Sequence, residues 1–145
     1  MKKPRVFFNA SVILAGFNSP TGGSGPLLKW VKEKKIKGVI SEIVLAEALR
    51  HAEKIGWEEK KMEQTVLAIF QQVLPAPKIQ EVEIWKKVVS DWGDAHLLAS
   101  AIKENCAFLV SLDKKHILSL KEKIKKITIV SPGELLTICR KRNLN

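Results

Sequence analysis

Aspartate is scarce in this chain. Its 145 residues include three, Asp91, Asp94 and Asp113, and two of them fall at the ends of apolar segments. Cysteine is scarcer still: Cys106 and Cys139 have no metal-ligand spacing and each lies in an apolar segment, so both are expected as buried free thiols. No apolar run approaches the ~18 residues that a membrane helix needs. The opening Met1-Lys2-Lys3-Pro4 leads into a short strand-like run without a signal region or cleavage site. These absences argue against a membrane protein and predict a cytoplasmic one. The loop Asn18-Ser19-Pro20-Thr21-Gly22-Gly23-Ser24-Gly25 lacks the spacing and the Lys-Ser/Thr ending of a phosphate loop. There is no Ser-His-Asp or Cys-His arrangement, no internal repeat and no sign of a second domain. Residues 1–145 are expected to form one domain, with a core at about 5–138 and a basic tail at 139–145.

Positive charge is plentiful. Lysine and arginine number 25 against 15 acids, for a net charge of +10, which points to a polyanionic partner, most often nucleic acid. All but Arg5, Arg50, Arg140 and Arg142 are lysines, and many lie on helix faces as solvating charge. Lysine and glutamate enrichment also occurs in thermophiles.

Apolar periodicity divides the chain into alternating strands and helices. Residues 5–9 read as a first strand ending at Asn9, and Ser11–Phe17 as the start of a short helix. Pro26 is expected at the first helical position of a segment reaching Ile36, with Lys29, Lys32, Lys34, Lys35 and Lys37 around its exposed side. Val39 and Ile40 form a second strand. Ser41 suits an N-cap for a helix that carries Leu45, Ala48, Leu49, Ala52 and Ile55 inward and stops at Gly56. A further helix is expected from about Trp57 to Val73. Residues 78–89 fit a short helix or an extended crossover. Asp91 is the expected cap of a helix starting at Asp94. The apolar run 107–111 is a buried strand, Lys114–Leu120 is expected to be helical, and 127–130 is the last strand. Ser131-Pro132-Gly133-Glu134 is a capping box that opens the last helix. The alternation predicts an α/β fold with a parallel sheet of four or five strands between two layers of helices.

In such a sheet, ligands gather at the carboxyl edge, at the point where strand order reverses. Asn9 follows the first strand and Asp113 the strand at 107–111. Asp94 opens the helix feeding that strand, and Glu47 lies on the helix after the second strand. Oxygen donors of this kind suit Mg²⁺ or Mn²⁺, and a divalent ion there could activate water against a phosphodiester. Taken singly, Glu47 reads equally as a helix surface residue, Asp94 as a helix-terminal charge and Asp113 as a turn residue. His51, one turn beyond Glu47, is placed to hydrogen-bond to it. Trp92 serves either for packing in its turn or for stacking on a base, and His116 shows no partner.

The pieces together resemble a PIN domain, the nuclease fold of VapC-type toxins and of many RNA-processing proteins. The likeness spans about residues 5–138. It is carried by Val6-Phe7-Phe8-Asn9-Ala10-Ser11-Val12-Ile13, by Glu47 in Ser41-Glu42-Ile43-Val44-Leu45-Ala46-Glu47, by Asp94-Ala95-His96-Leu97-Leu98-Ala99 and by Val110-Ser111-Leu112-Asp113. The resemblance implies metal-dependent endoribonuclease activity with Mg²⁺ or Mn²⁺ held by Glu47, Asp94, Asp113 and the Asn9 corner. Ser11 and Ser111 would orient those ligands, and Arg50, Lys114 and Lys115 would contact RNA phosphates. It also implies a homodimer and, for a toxin, an antitoxin partner.

Two positions depart from the family pattern. Asn9 stands where the first catalytic Asp belongs, and Lys115 where some members carry another acid. An amide keeps one carbonyl oxygen for a metal but loses a full charge and cannot act as a base. Weakened or abolished cleavage is therefore expected, and the competing reading is a catalytically inactive PIN-like module that binds RNA or protein. A receiver-like or phosphatase α/β domain is disfavoured, because the first strand ends in neither Asp nor Asp-x-Asp.

Overall fold

A computed structural model describes residues 3–142. Five parallel strands form one sheet in the order β3-β2-β1-β4-β5: β1 (Arg5–Phe8), β2 (Lys37–Ser41), β3 (Gln72–Leu74), β4 (Phe108–Val110) and β5 (Thr128–Val130). Val6, Phe7 and Phe8 are all buried. A strand inaccessible on both faces reads as a continuous apolar run, because helices cover the sheet on each side. Phe8 meets Phe70 edge to face, with ring centroids 5.1 Å apart. The family-like α/β architecture expected from the sequence is the one observed.

The helices are α1 (Ala10–Asn18), α2 (Ser24–Lys32), α3 (Glu42–Arg50), α4 (Glu59–Ile69), α5 (Ile79–Lys86), α6 (Trp92–Lys103) and α7 (Pro132–Lys141). The steps β1 to β2 and β2 to β3 run towards one edge, and the step β3 to β4 runs back past β1. Right-handed crossovers therefore place α1–α4 on one face and α5 and α6 on the other. The contacts agree: α1–α4 pack on one another, α5 packs on α6, and α7 returns to α2.

Local chemistry sets the helix starts. The Ser41 hydroxyl accepts from the Val44 N–H at 3.2 Å, and the Asp91 carboxylate from the Asp94 N–H at 3.0 Å. Ser131 and Glu134 exchange bonds at 3.2 and 2.9 Å as the capping box requires. Gly56 takes a left-handed φ of 79° after the short turn that follows α3.

Several boundaries differ from the sequence reading. α2 begins at Ser24, two residues before Pro26, and α3 ends at Arg50, leaving Glu53–Ile55 as a 3-10 turn. The helix expected to reach Val73 stops at Ile69, and Gln72–Leu74 pairs with β2 instead. Residues 114–120 make turns, with 3-10 geometry over Leu118–Leu120. The basic tail is helical as far as Lys141, and its residues 143–145 lie outside the described residues.

Two expectations follow. A Cβ on Gly38 would meet Val31 at 2.6 Å and Phe70 at 3.0 Å, so Gly38→Ala should cost about 1–3 kcal/mol by overpacking, measurable by urea denaturation. Burial pushes the Cys106 thiol up to about 11 and raises the Cys139 thiol as well. Both should resist a disulfide reagent at pH 8 in the native chain and react promptly once it is denatured, because the thiolate is the nucleophile.

Candidate active site

The carboxyl edge of the sheet opens into a cleft of about 170 Å³ whose lining includes Asn9, Glu47, Arg50, Asp91, Asp94 and Asp113. All four positions singled out from the sequence as ligands thus face one space. Ordinary elements deliver them there. Asn9 leaves β1 and opens α1, Glu47 sits on the second turn of α3, Asp94 on the first turn of α6, and Asp113 follows β4.

Hydrogen bonds tie the segment after β4 to the segment after β1. The Asn9 N–H donates to the Val110 carbonyl at 3.1 Å, extending the β1–β4 ladder by one rung. Asn9 Nδ2 donates to Ser111 Oγ at 2.7 Å, and the Asp113 N–H donates to the same oxygen at 3.0 Å. Ser11 Oγ accepts from the Leu112 N–H at 3.1 Å. Asn9 is the N-cap residue of α1, yet its side chain makes no cap bond. A side chain well suited to capping is turned instead to Ser111, which is wholly buried.

The carboxylates share one electrostatic field. Burial raises the Asp94 carboxyl above its ordinary value, and the charges of Asp91, Asp113 and Glu47 push it further, with His116 partly opposing them. Asp113 is held from its own turn: Oδ1 accepts from the His116 N–H at 3.0 Å, and Oδ2 lies 3.3 Å from His116 Nδ1. That pairing was not found from the sequence, although an i,i+3 spacing of Asp and His within a turn is the signal that carries it. Asp91 proves to be both the cap of α6 and a wall of the cleft. His51 contacts the backbone carbonyl of Glu47 at 2.9 Å, not its carboxylate.

Among the basic candidates, Arg50 lines the cleft. Lys115 lies in a neighbouring depression with Asp91, Asp94 and His116. Lys114 is exposed on the turn beside it and lines neither space. Trp92 is 48% exposed next to the cleft, with the Lys86 ammonium 5.0 Å from its ring centroid. Among the described residues, no three His, Cys, Asp or Glu side chains form a ready metal-binding group. In kind, the donors fit a hard cation: every candidate ligand offers oxygen, and mutual repulsion at Asp94 is what a bound cation would relieve.

A PIN domain family model matches residues 5–115. The chain belongs to the PIN domain family. Similar solved structures include VapBC2 from Rickettsia felis bound to a DNA fragment from its promoter, at 14% identity and a TM-score of 0.64 over 88% of this chain and 98% of that one. FitAB bound to the IR36 DNA fragment is 16% identical, with a TM-score of 0.64 over 88% and 94%. PAE2754 from Pyrobaculum aerophilum is 21% identical, with a TM-score of 0.65 over 95% and 90%. No curated protein matches. No helix among the described residues is long and apolar enough to cross a membrane.

The raised Asp94 carboxyl gives a signed expectation for this PIN domain. A raised carboxyl makes the folded state favour the protonated form. That contribution is present at low pH and is lost as pH rises through the folded value. Asp94→Asn keeps the N–H that Asp91 caps and removes the charge. Without divalent metal it should therefore stabilise the chain at neutral pH by about a few tenths of a kcal/mol, as befits a solvent-screened group. The gain should shrink towards pH 3, as read by thermal unfolding across a pH series.

Proposed function

We propose that this PIN domain is a metal-dependent endoribonuclease that hydrolyses RNA phosphodiesters, with activity weakened by Asn9. The observation that carries the reading is the convergence of Asn9, Glu47, Asp94 and Asp113 on one cleft at the carboxyl edge of the sheet, in a chain of this family. The active unit is the whole chain as a single domain, with its core at residues 5–138.

Glu47, Asp94 and Asp113 hold Mg²⁺ or Mn²⁺, with the Asn9 carbonyl oxygen as a weaker fourth donor. When bound, such an ion supplies an acidified water and offsets charge building on the phosphate oxygens. Ser111 fixes Asn9 and the Asp113 backbone, and Ser11 fixes the intervening Leu112, so the two strand ends keep their spacing. His116 orients the Asp113 carboxylate. Arg50 is placed to grip a phosphate with paired N–H groups. Lys114 and Lys115 add attraction at the rim.

The Asn9 corner lowers the negative charge that draws in the cation, so the cleft binds metal less tightly than a four-carboxylate site. The second reading, a catalytically inactive module that binds RNA or protein, is favoured by that amide and by the absence of a ready metal-binding trio among the described residues. By likeness to VapBC2 and FitAB, an antitoxin is the expected protein partner. A homodimer is the expected assembly and the cytoplasm the expected compartment.

Ser111 can donate its hydroxyl hydrogen to a carboxylate as readily as its oxygen accepts from an amide, so an aspartate fits at position 9 without rearrangement. Asn9→Asp should raise Mn²⁺-dependent cleavage of mixed RNA by at least about tenfold, the scale of even indirect changes around a metal. Glu47→Gln or Asp94→Asn in that background should abolish it, and a chelator should do the same. Cleavage by neither the native chain nor Asn9→Asp would overturn the nuclease reading. Cleavage by Asn9→Asp alone would identify a disabled site in the native chain.

A further inference from the structure

The amino edge of the sheet holds a second cavity, remote from the acids. It encloses about 320 Å³ between Lys3, Arg5, Lys34, Lys37, Gln71 and Gln72, over an apolar floor from α2 and β2. Arg5, Lys37 and Gln72 begin β1, β2 and β3, whereas the acidic cleft opens where β1 and β4 end. Strands of four or five residues, at ~3.3 Å each, separate the two edges by roughly 15 Å. One phosphate cannot occupy both.

No carboxylate lines this cavity. Arg5 is engaged by Glu104, at 3.6 Å to its carboxylate and 3.2 Å to its carbonyl. Lys3, Lys34 and Lys37 have no acidic partner among the described residues. Four cationic side chains thus converge on one concave space, and three of them are uncompensated. A volume near 320 Å³ falls within the range of small-ligand sites.

Lys34 adds a second observation. It closes α2 with a left-handed φ of 62°. Its N–H bonds the Val31 carbonyl at 3.0 Å, and the Lys35 N–H bonds Trp30 at 2.8 Å. This is the helix-ending turn in which glycine is the relaxed choice. A long cationic side chain at a backbone position where glycine would be relaxed points to use of that side chain.

We propose that this cavity is a phosphate-binding site, separate from the acidic cleft, that takes the phosphate of a free nucleotide or of an RNA backbone. The ammonium groups make charge-assisted hydrogen bonds to phosphate oxygens. The two glutamine carboxamides can donate to and accept from a sugar. No aromatic side chain lines the cavity, so it recognises phosphate without a base-stacking platform. The proposal does not depend on the nuclease reading.

Calorimetric titration with 5′-AMP, with inorganic pyrophosphate and with a short single-stranded RNA lacking terminal phosphates tests it, with chelator present so that cleavage plays no part. Three chains are compared: the native one, Lys34→Gly/Lys37→Gln, and Lys60→Gln/Lys61→Gln, which removes the same charge from α4. At least one probe should bind with a dissociation constant below about 1 mM. Lys34→Gly/Lys37→Gln should weaken that binding at least about tenfold, and Lys60→Gln/Lys61→Gln by less than about twofold. The melting temperature of Lys34→Gly alone should stay level or rise, which separates lost binding from lost folding. Binding of AMP or pyrophosphate identifies a free phosphate ligand, and binding of the RNA alone identifies the backbone. The site is refuted if no probe binds, if Lys34→Gly/Lys37→Gln leaves binding intact, or if both double variants weaken it equally.

Discussion

The seam between β1 and β4 is the constraint on which the site depends. The register pairs Val6, Phe7 and Phe8 with Phe108, Leu109 and Val110, and strand order reverses at this junction. The chain leaves β1 towards one edge of the sheet and leaves β4 towards the other, so the connections diverge and a cleft opens between them. The seam continues past the last ladder pair through the Asn9 N–H, Ser111 and Ser11. Those bonds set how far Asp113 stands from the start of α1. Glu47 and Asp94 then need only ordinary helix geometry to reach the same space.

Asn9 is part of this scaffold as well as part of the cleft. Its backbone continues the ladder and its amide donates to the buried Ser111 hydroxyl, so removing the side chain would leave that oxygen with the Asp113 N–H alone. The amide satisfies the structural role and fails the electrostatic one. It brings no charge to a cleft where Asp91, Asp113 and Glu47 already raise the Asp94 carboxyl. A further carboxylate at position 9 would deepen that repulsion in the empty cleft and strengthen the hold on a cation. Fold stability and metal affinity therefore pull in opposite directions at this position.

The parts of the fold that were legible in the sequence carry strong local chemistry. The β1 run, the caps at Ser41, Asp91 and Ser131 and the left-handed Gly56 each follow from a few adjacent residues. β3 was missed because Gln72-Val73-Leu74 directly follows a helical periodicity and buries only Leu74. A three-residue edge strand has too little pattern to override the helix before it, and its pairing with β2 is tertiary. The segment after Asp113 is expected to be helical, yet Asp113 and His116 bond locally and set turns there instead. Among the candidate ligands, order along the chain suggests the set, and the reversal of strand order at the β1–β4 seam brings Asn9, Glu47, Asp94 and Asp113 to one cleft.

The net charge of +10 conceals a division between the two ends of the sheet. Carboxylates collect at the carboxyl edge, where Asp91 and Asp94 come from one helix start and Glu47 and Asp113 from other elements. The amino edge collects Lys3, Arg5, Lys34 and Lys37 around a cavity that no acid lines, with Glu104 pairing Arg5 from outside it. Helix dipoles explain part of this, since anions suit the first turn of α6 and cations the last turn of α2. They do not explain Arg5 and Lys37, which begin strands, nor Lys34, whose backbone would be more relaxed as glycine. A polyanion drawn to this protein meets repulsion at the acidic cleft unless a cation is present, and attraction at the opposite edge regardless. Binding at the basic edge is therefore expected to persist without divalent metal, and engagement of the cleft to require it.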